Sequence, residues 1–178
     1  MQNFNTNTTN NDEWLTPPEI VQALGPFDLD PCSPINRPWD TAKEHYTKED
    51  DGLTKAWRGR VWLNPPYGKH TYTWLNKLAE HGYGIALVFA RTETKGFHEA
   101  VWKKADSVFF FKGRLKFRTV TGNIRSTANA PSCLISYSPA DTAIIKKAMF
   151  SETKARKGEQ VITGMLVTLR QEEYPCES

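Results

Sequence analysis

Asn64, Pro65, Pro66 and Tyr67 stand in a row directly behind Arg60-Val61-Trp62-Leu63, a run that is apolar after its first residue. The run predicts a strand, and the end of that strand presents a side-chain amide, two rigid imide links and an aromatic face. Proline holds φ near −65° and carries no N–H, so the carbonyls left in the turn are fixed as acceptors with set directions. Asn64 adds one more acceptor. A planar amino group held by two acceptors and stacked on Tyr67 would have its lone pair exposed for attack on an electrophilic methyl group. Pro-Pro behind a strand also serves as a plain stiff turn, so this corner becomes a clamp only if it faces a cavity.

Groups that assist such a clamp must come from elements that end beside it. Leu15-Thr16-Pro17-Pro18-Glu19-Ile20 has the pattern of a helix start, with Thr16 as cap, Pro17 in the first helical position and Glu19 reaching back in a capping box. That helix is expected to stop at Gly25. Phe27-Asp28-Leu29 reads as a short strand ending in Asp30-Pro31-Cys32-Ser33, followed by a proline-punctuated loop through Pro38. Asp50-Asp51-Gly52-Leu53 with Trp57 reads as a loop and turn that leads into the strand before Asn64. Downstream, the pattern predicts helices over Tyr72 to Glu80, Lys95 to Lys104 and about Ala140 to Phe150. Strands are predicted over Gly84 to Ala90, Ser107 to Phe111, Cys133 to Tyr137 and Gln160 to Leu169. This alternation gives an α/β class, a mostly parallel twisted sheet with helices on both faces and ligands at the carboxyl ends of strands. Asp30, Asp51 and Asn64 all fall after or near predicted strand ends and are expected to meet on one edge.

The chain of 178 residues suits one domain over 13–170, flanked by a polar tail at 1–12 and a short tail at 171–178. Lys and Arg number 23 against 20 Asp and Glu, a net charge of +3 that by itself proves no nucleic-acid partner. Distribution is more telling. Between Ser107 and Ala140 there is no acidic residue, while Lys112, Arg114, Lys116, Arg118 and Arg125 all fall there. As a strand, Lys112 to Arg118 would place its charges on one face, fit for phosphate contact or for a plain solvated edge. The Thr-, Asn- and Ser-rich loop from Thr119 to Ala130 is the candidate for base contacts, which makes 112–130 a small basic recognition segment. Cys32, Cys133 and Cys176 form no paired pattern and His45, His70, His81 and His98 show no ligand spacing with them, so no metal is expected. No stretch approaches the roughly 20 apolar residues that span a bilayer, and a reducing cytoplasm without a membrane partner is the expected setting.

These motifs, in this order, resemble the phage-type DNA N6-adenine methyltransferases, the Dam family. The similarity runs from about Trp14 to Tyr137. It rests on Glu13-Trp14-Leu15-Thr16-Pro17-Pro18, Phe27-Asp28-Leu29-Asp30-Pro31-Cys32, Asp51-Gly52-Leu53 with Trp57, and Trp62-Leu63-Asn64-Pro65-Pro66-Tyr67-Gly68. The resemblance implies a Rossmann-like, S-adenosylmethionine-dependent enzyme that methylates N6 of a flipped adenine in double-stranded DNA. It further implies a phage or prophage origin in a bacterial host and a monomer or weak dimer.

Carried over by motif, Asn64, Pro65, Pro66 and Tyr67 are catalytic, with Asn64 and the Pro65 carbonyl on the target amine, Tyr67 on the target base, and Asn64 also bordering the cofactor. Asp30, with Pro31 and Cys32, would hold the amino-acid end of the cofactor, and Asp51 would accept from its adenine amino group. The Thr16-Pro17 helix start would offer N–H groups to the cofactor carboxylate. One departure stands out, since no glycine follows Asp30 until Gly52. Asp40 and Glu44 are the candidates for the cofactor ribose. Cys32 as a nucleophile, in the manner of cytosine-C5 methyltransferases, is the weaker reading, because that position belongs on the strand end held by Asn64. An RNA base or a protein glutamine amide as acceptor, and an inactive DNA-binding module of the same fold, remain the alternatives.

Overall fold

Apolar side chains on the short central strands alternate between two cores, and this alternation builds the layers. The computed structural model describes residues 15–119, 121–128, 130–149 and 162–170. In chain order it contains α1 (Pro18–Leu24), β1 (Leu29–Asp30), β2 (Glu44–His45), β3 (Val61–Leu63), α2 (Thr71–His81), β4 (Gly84–Phe89) and α3 (Lys95–Phe97), which continues as a π-helical stretch, His98–Trp102. Then come β5 (Ser107–Phe111), β6 (Lys116–Arg118), β7 (Ile124–Thr127), β8 (Ser132–Ser136), α4 (Pro139–Met149) and β9 (Gly164–Thr168). Seven strands form one sheet in the order β2-β1-β3-β4-β8-β5-β9, and β6 and β7 form a separate two-stranded sheet.

The expected mostly parallel sheet is in fact mixed. β1 pairs in parallel with β2 and β3, and β3 with β4. β8 lies antiparallel between β4 and β5, and β9 antiparallel to β5. The connections explain this. β5 leaves the sheet into the β6–β7 pair and the chain re-enters from the same edge, so β8 must run back. β9 then takes the direction of β8 through the α4 crossover.

Helices do cover both faces. Val61, Leu63, Ala86, Val88, Val108 and Ile135 share a core with Trp74, Leu75 and Leu78 of α2 and with Phe97, Ala100 and Val101. Trp62, Ile85, Leu87, Phe109 and Leu134 point the other way, onto Ile20, Val21 and Leu24 of α1 and Ile145 and Ala148 of α4.

Several boundaries moved for local reasons. The first helix begins at Pro18 with Pro17 as its cap residue and no side-chain cap bond, so the capping box is absent; Glu19 instead faces Arg118 at 3.4 Å. Gly25 does follow Leu24, but in extended rather than left-handed conformation. The strand expected over Phe27 to Leu29 pairs as Leu29–Asp30, and its neighbour β2 came from a stretch without legible pattern. The helix expected over Lys95 to Lys104 is only one α-turn before it widens into the π stretch. The last strand is described from Gly164, and the tails at 1–12 and 171–178, with Trp14 and Gln160, lie outside the described residues. Among the described residues no helix is long and apolar enough to cross a membrane, and no cluster of His, Cys, Asp and Glu could hold a metal ion.

At the amino end of β3 a buried ion pair ties the layers together. Arg60 Nε donates to Asp141 Oδ1 at 2.7 Å, and its Nη1 donates to the carbonyls of Leu24 and Pro26. Asp141 Oδ2 accepts from Gly84 N at 2.8 Å and Ser138 Oγ at 2.6 Å. This knot joins β3 and β4 to both α1 and α4.

Candidate active site

From β1 the chain passes to β2 on one side and then to β3 on the other, so the connections diverge between β1 and β3. In an open sheet of this kind the crevice at the carboxyl ends of the diverging strands is where ligands sit. A cavity of about 550 Å³ lies there. It brings together Thr16, Asp30, Pro31, Cys32 and Asp51 with Asn64, Pro65, Pro66 and Tyr67. Of the residues singled out for cofactor and catalysis, Pro17, Asp40 and Glu44 are not in its lining.

The Asn-Pro-Pro-Tyr corner is fixed from two sides. Thr71 Oγ1, in the first turn of α2, donates to the Pro66 carbonyl at 2.8 Å and accepts from Gly68 N at 3.0 Å. Cys32 Sγ donates to the Asn64 carbonyl at 3.2 Å. These bonds occupy the main-chain carbonyls on either side of Pro65. The Cys32 bond ties the end of β1 to the end of β3, and burial pushes the Cys32 thiol well above its ordinary pKa, which favours the thiol over the thiolate. Tyr67 stacks on Phe89 at the end of β4, with ring centroids 4.0 Å apart and planes 12° apart. Its hydroxyl is buried without a hydrogen-bond partner among the described residues, and burial raises its pKa.

Asp30 is buried beneath this corner. Cys32 N donates to its Oδ1 at 3.1 Å and Thr41 Oγ1 to its Oδ2 at 2.5 Å. Burial pushes its pKa up to about 6, and the two hydrogen bonds and the charge of Arg37 hold it from going further. The hydroxyl of Thr16 is buried with no partner among the described residues. The helix start beside it has little to offer an anion, because Pro17 and Pro18 lack N–H groups and Ile20 N bonds the Pro17 carbonyl at 3.0 Å.

Across the cavity, the Asp50-Asp51 pair splits into two roles. Asp50 accepts from Thr47 N at 2.9 Å and pairs with Lys55, and these bonds, the main-chain one first, bring its pKa down to about 2. Asp51 has a left-handed backbone (φ 52°) and lines the cavity. Gly52 lets the Asp50-Asp51 loop pack directly on the loop after Asp30, since a Cβ there would fall 2.0 Å from the Pro31 carbonyl oxygen.

Asp40 and Glu44 are not in the lining. Asp40 is bound to Arg37, and Glu44 is exposed on β2. Arg37, Thr41, Thr47, Lys48 and Trp74, to which sequence reasoning gave no site role, line the cavity as well, as does Trp39. Arg37, Trp39, Thr41, Thr47 and Lys48 come from the loops on either side of β2, which had no pattern to read, and Trp74 from α2.

The family model for DNA N-6-adenine-methyltransferase (Dam) matches residues 3–161. The chain belongs to the Dam family. Neither among curated proteins nor among solved structures does it have a significant match. Membership implies DNA adenine methyltransferase activity and a DNA substrate.

For a Dam-family enzyme the β6–β7 pair is well placed. It is inserted between the carboxyl end of β5 and the start of β8, on the same edge as the cavity. Leu115 and Phe117 are buried, whereas Lys112, Arg114 and Lys116 are exposed and form no ion pair with a described residue. Arg118 differs. It is half-buried, its Nη2 lies 3.4 Å from Glu19 Oε1, and its main chain exchanges hydrogen bonds of 3.1 and 2.9 Å with Leu15. Since Leu15 and Thr16 also line the cavity, this bridge ties the basic pair to the wall of the site. Arg125 sits on β7, and its side chain lies outside the described residues.

Proposed function

We propose that this Dam-family chain methylates N6 of an adenine flipped out of duplex DNA, with S-adenosylmethionine as donor, on a Rossmann-like sheet. The observation that carries the reading is one cavity at the carboxyl ends of β1 and β3 that holds both Asp30 and the Asn64-Pro65-Pro66-Tyr67 corner. The residues present fit the cofactor. The volume is within the roughly 300–1,000 Å³ of small-molecule sites, and a buried carboxylate and an unpartnered buried hydroxyl, Asp30 and Thr16, line it. Asp30 would accept from the ammonium group and Asp51 from the adenine amine of the cofactor.

An exocyclic adenine amine is a weak nucleophile because its lone pair is delocalised into the ring. Asn64 Oδ1 and the Pro65 carbonyl accept its two hydrogens and favour a pyramidal nitrogen, stabilising the charge that develops there. When bound, the cofactor would supply an electrophilic methyl group to the nitrogen that Asn64 and the Pro65 carbonyl hold, with its thioether as the leaving group and the surplus amine proton lost to water. The rest is positioning. Extrusion of the base costs a few kcal/mol, and stacking on the face of Tyr67 not covered by Phe89 offsets about 1–3 kcal/mol of it. Lys112, Arg114, Lys116 and Arg125 would lie along the phosphates, while Arg118 stays with Glu19 and holds the pair to α1.

The test supplies labelled S-adenosylmethionine with DNA, RNA and protein acceptors and identifies the modified nucleoside. Label on adenine in DNA is expected, and Asn64→Ala should lower transfer by at least about a hundredfold while leaving cofactor affinity nearly unchanged. Label only on cytosine, or only on RNA or protein, overturns the proposal.

A further inference from the structure

The amino-acid end of S-adenosylmethionine carries two opposite charges, and the cavity has so far been given a partner for only one. Asp30 answers the ammonium. The carboxylate needs a cation or several N–H donors. The start of α1 is a poor source, since Pro17 and Pro18 contribute none. Two cationic side chains line the cavity, Arg37 and Lys48.

They are not equivalent. Lys48 is exposed, with a flexible stem and full hydration. Arg37 is about a quarter exposed (27%), and Asp40 Oδ1 accepts from its Nε at 2.9 Å, which fixes the plane of the guanidinium. It sits on the loop that leaves Asp30, close enough for its charge to act on that carboxyl. With Nε engaged, the Nη edge of the fork remains for a second carboxylate.

We infer that Arg37 is the carboxylate-binding residue of the cavity, so that Arg37 and Asp30 together read the zwitterionic end of the cofactor. The inference rests on the cofactor reading above. It assigns Arg37 to affinity and orientation, with no part in the methyl transfer itself.

Calorimetry with two ligands isolates the role. S-adenosylhomocysteine carries the amino-acid group, and methylthioadenosine keeps adenine, ribose and thioether without it. Arg37→Ala should weaken S-adenosylhomocysteine about 10- to 100-fold and leave methylthioadenosine within about twofold. Arg37→Lys should recover part of the loss, and thermal melts of both variants check that the fold is intact. An equal loss for both ligands, or unchanged S-adenosylhomocysteine affinity, overturns the role of Arg37 while leaving the cofactor reading in place. If the wild-type protein binds neither ligand, the cofactor reading falls and the inference with it.

Discussion

The amino end of β3 and the floor of the cavity at its carboxyl end bury charge equally and treat it oppositely. Arg60 and Asp30 are each 4% exposed, so burial alone does not distinguish them. Their partners do. Arg60 has a carboxylate and two carbonyls around it, with only Nη2 left over, and the Asp141 carboxylate accepts from Gly84 N and Ser138 Oγ besides Arg60 Nε. Asp30 has two hydrogen bonds and no ion pair among the described residues, and its neighbour across the cavity, the Thr16 hydroxyl, has no partner there. A saturated buried charge holds layers together. An undersaturated one beside a cavity is a group prepared for a ligand.

The sharpest way to break this contrast is to remove one half of the saturated pair. Asp141→Ala strands the Arg60 charge in the core and is expected to cost about 3–5 kcal/mol in urea unfolding. A cost under about 1 kcal/mol would mean the knot is not what joins α1 and α4 to the sheet. Asp30→Asn should act in the other direction. Its folded pKa of about 6 lies above the value of 3.8 expected for an unfolded chain, so the folded state binds more protons between those two values. Stability therefore falls as pH rises through that window. The amide removes the fall, and the variant should be more stable at pH 7 by up to about 3 kcal/mol, with no gain below about pH 4. The loss of one acceptor for Thr41 or Cys32 reduces the gain. The same variant should bind S-adenosylmethionine more weakly, and a variant that is less stable at pH 7 would show that Asp30 is not strained in the way its burial implies.

What the sequence made legible follows the range of the interactions. The clamp could be read because its four residues are contiguous and their chemistry is local: proline rigidity, an amide and a ring. The central strands could be read because Val61–Leu63 and Gly84–Phe89 are nearly continuous apolar runs. The mixed order of the sheet could not, because the reversal of β8 is set by an excursion whose residues are polar and short in period. Thr16 shows the limit best. Its local pattern is a helix cap, yet two prolines and the pull of Arg118 on Glu19 leave its hydroxyl in the cavity wall instead. Arg37 and Thr41 act through an irregular loop that folds back on Asp30, and Gly52 through its packing on Pro31, and no spacing announces them.

The smallest expected effects separate the two kinds of cation on the β6–β7 pair. Lys116 is exposed with no ion pair among the described residues, so its phosphate contact would release a counterion without breaking anything in the free protein. Lys116→Ala should lower the slope of log affinity against log salt by about 0.9. Arg118 must first give up Glu19, and its guanidinium lies against α1 rather than open solvent. Arg118→Ala is expected to leave the slope nearly unchanged and to cost about 0.5–1 kcal/mol of stability. If instead the slope falls for Arg118 and stays constant for Lys116, the duplex lies on the Glu19 side of the pair. DNA binding would then compete with the ion pair that ties this element to the cavity wall.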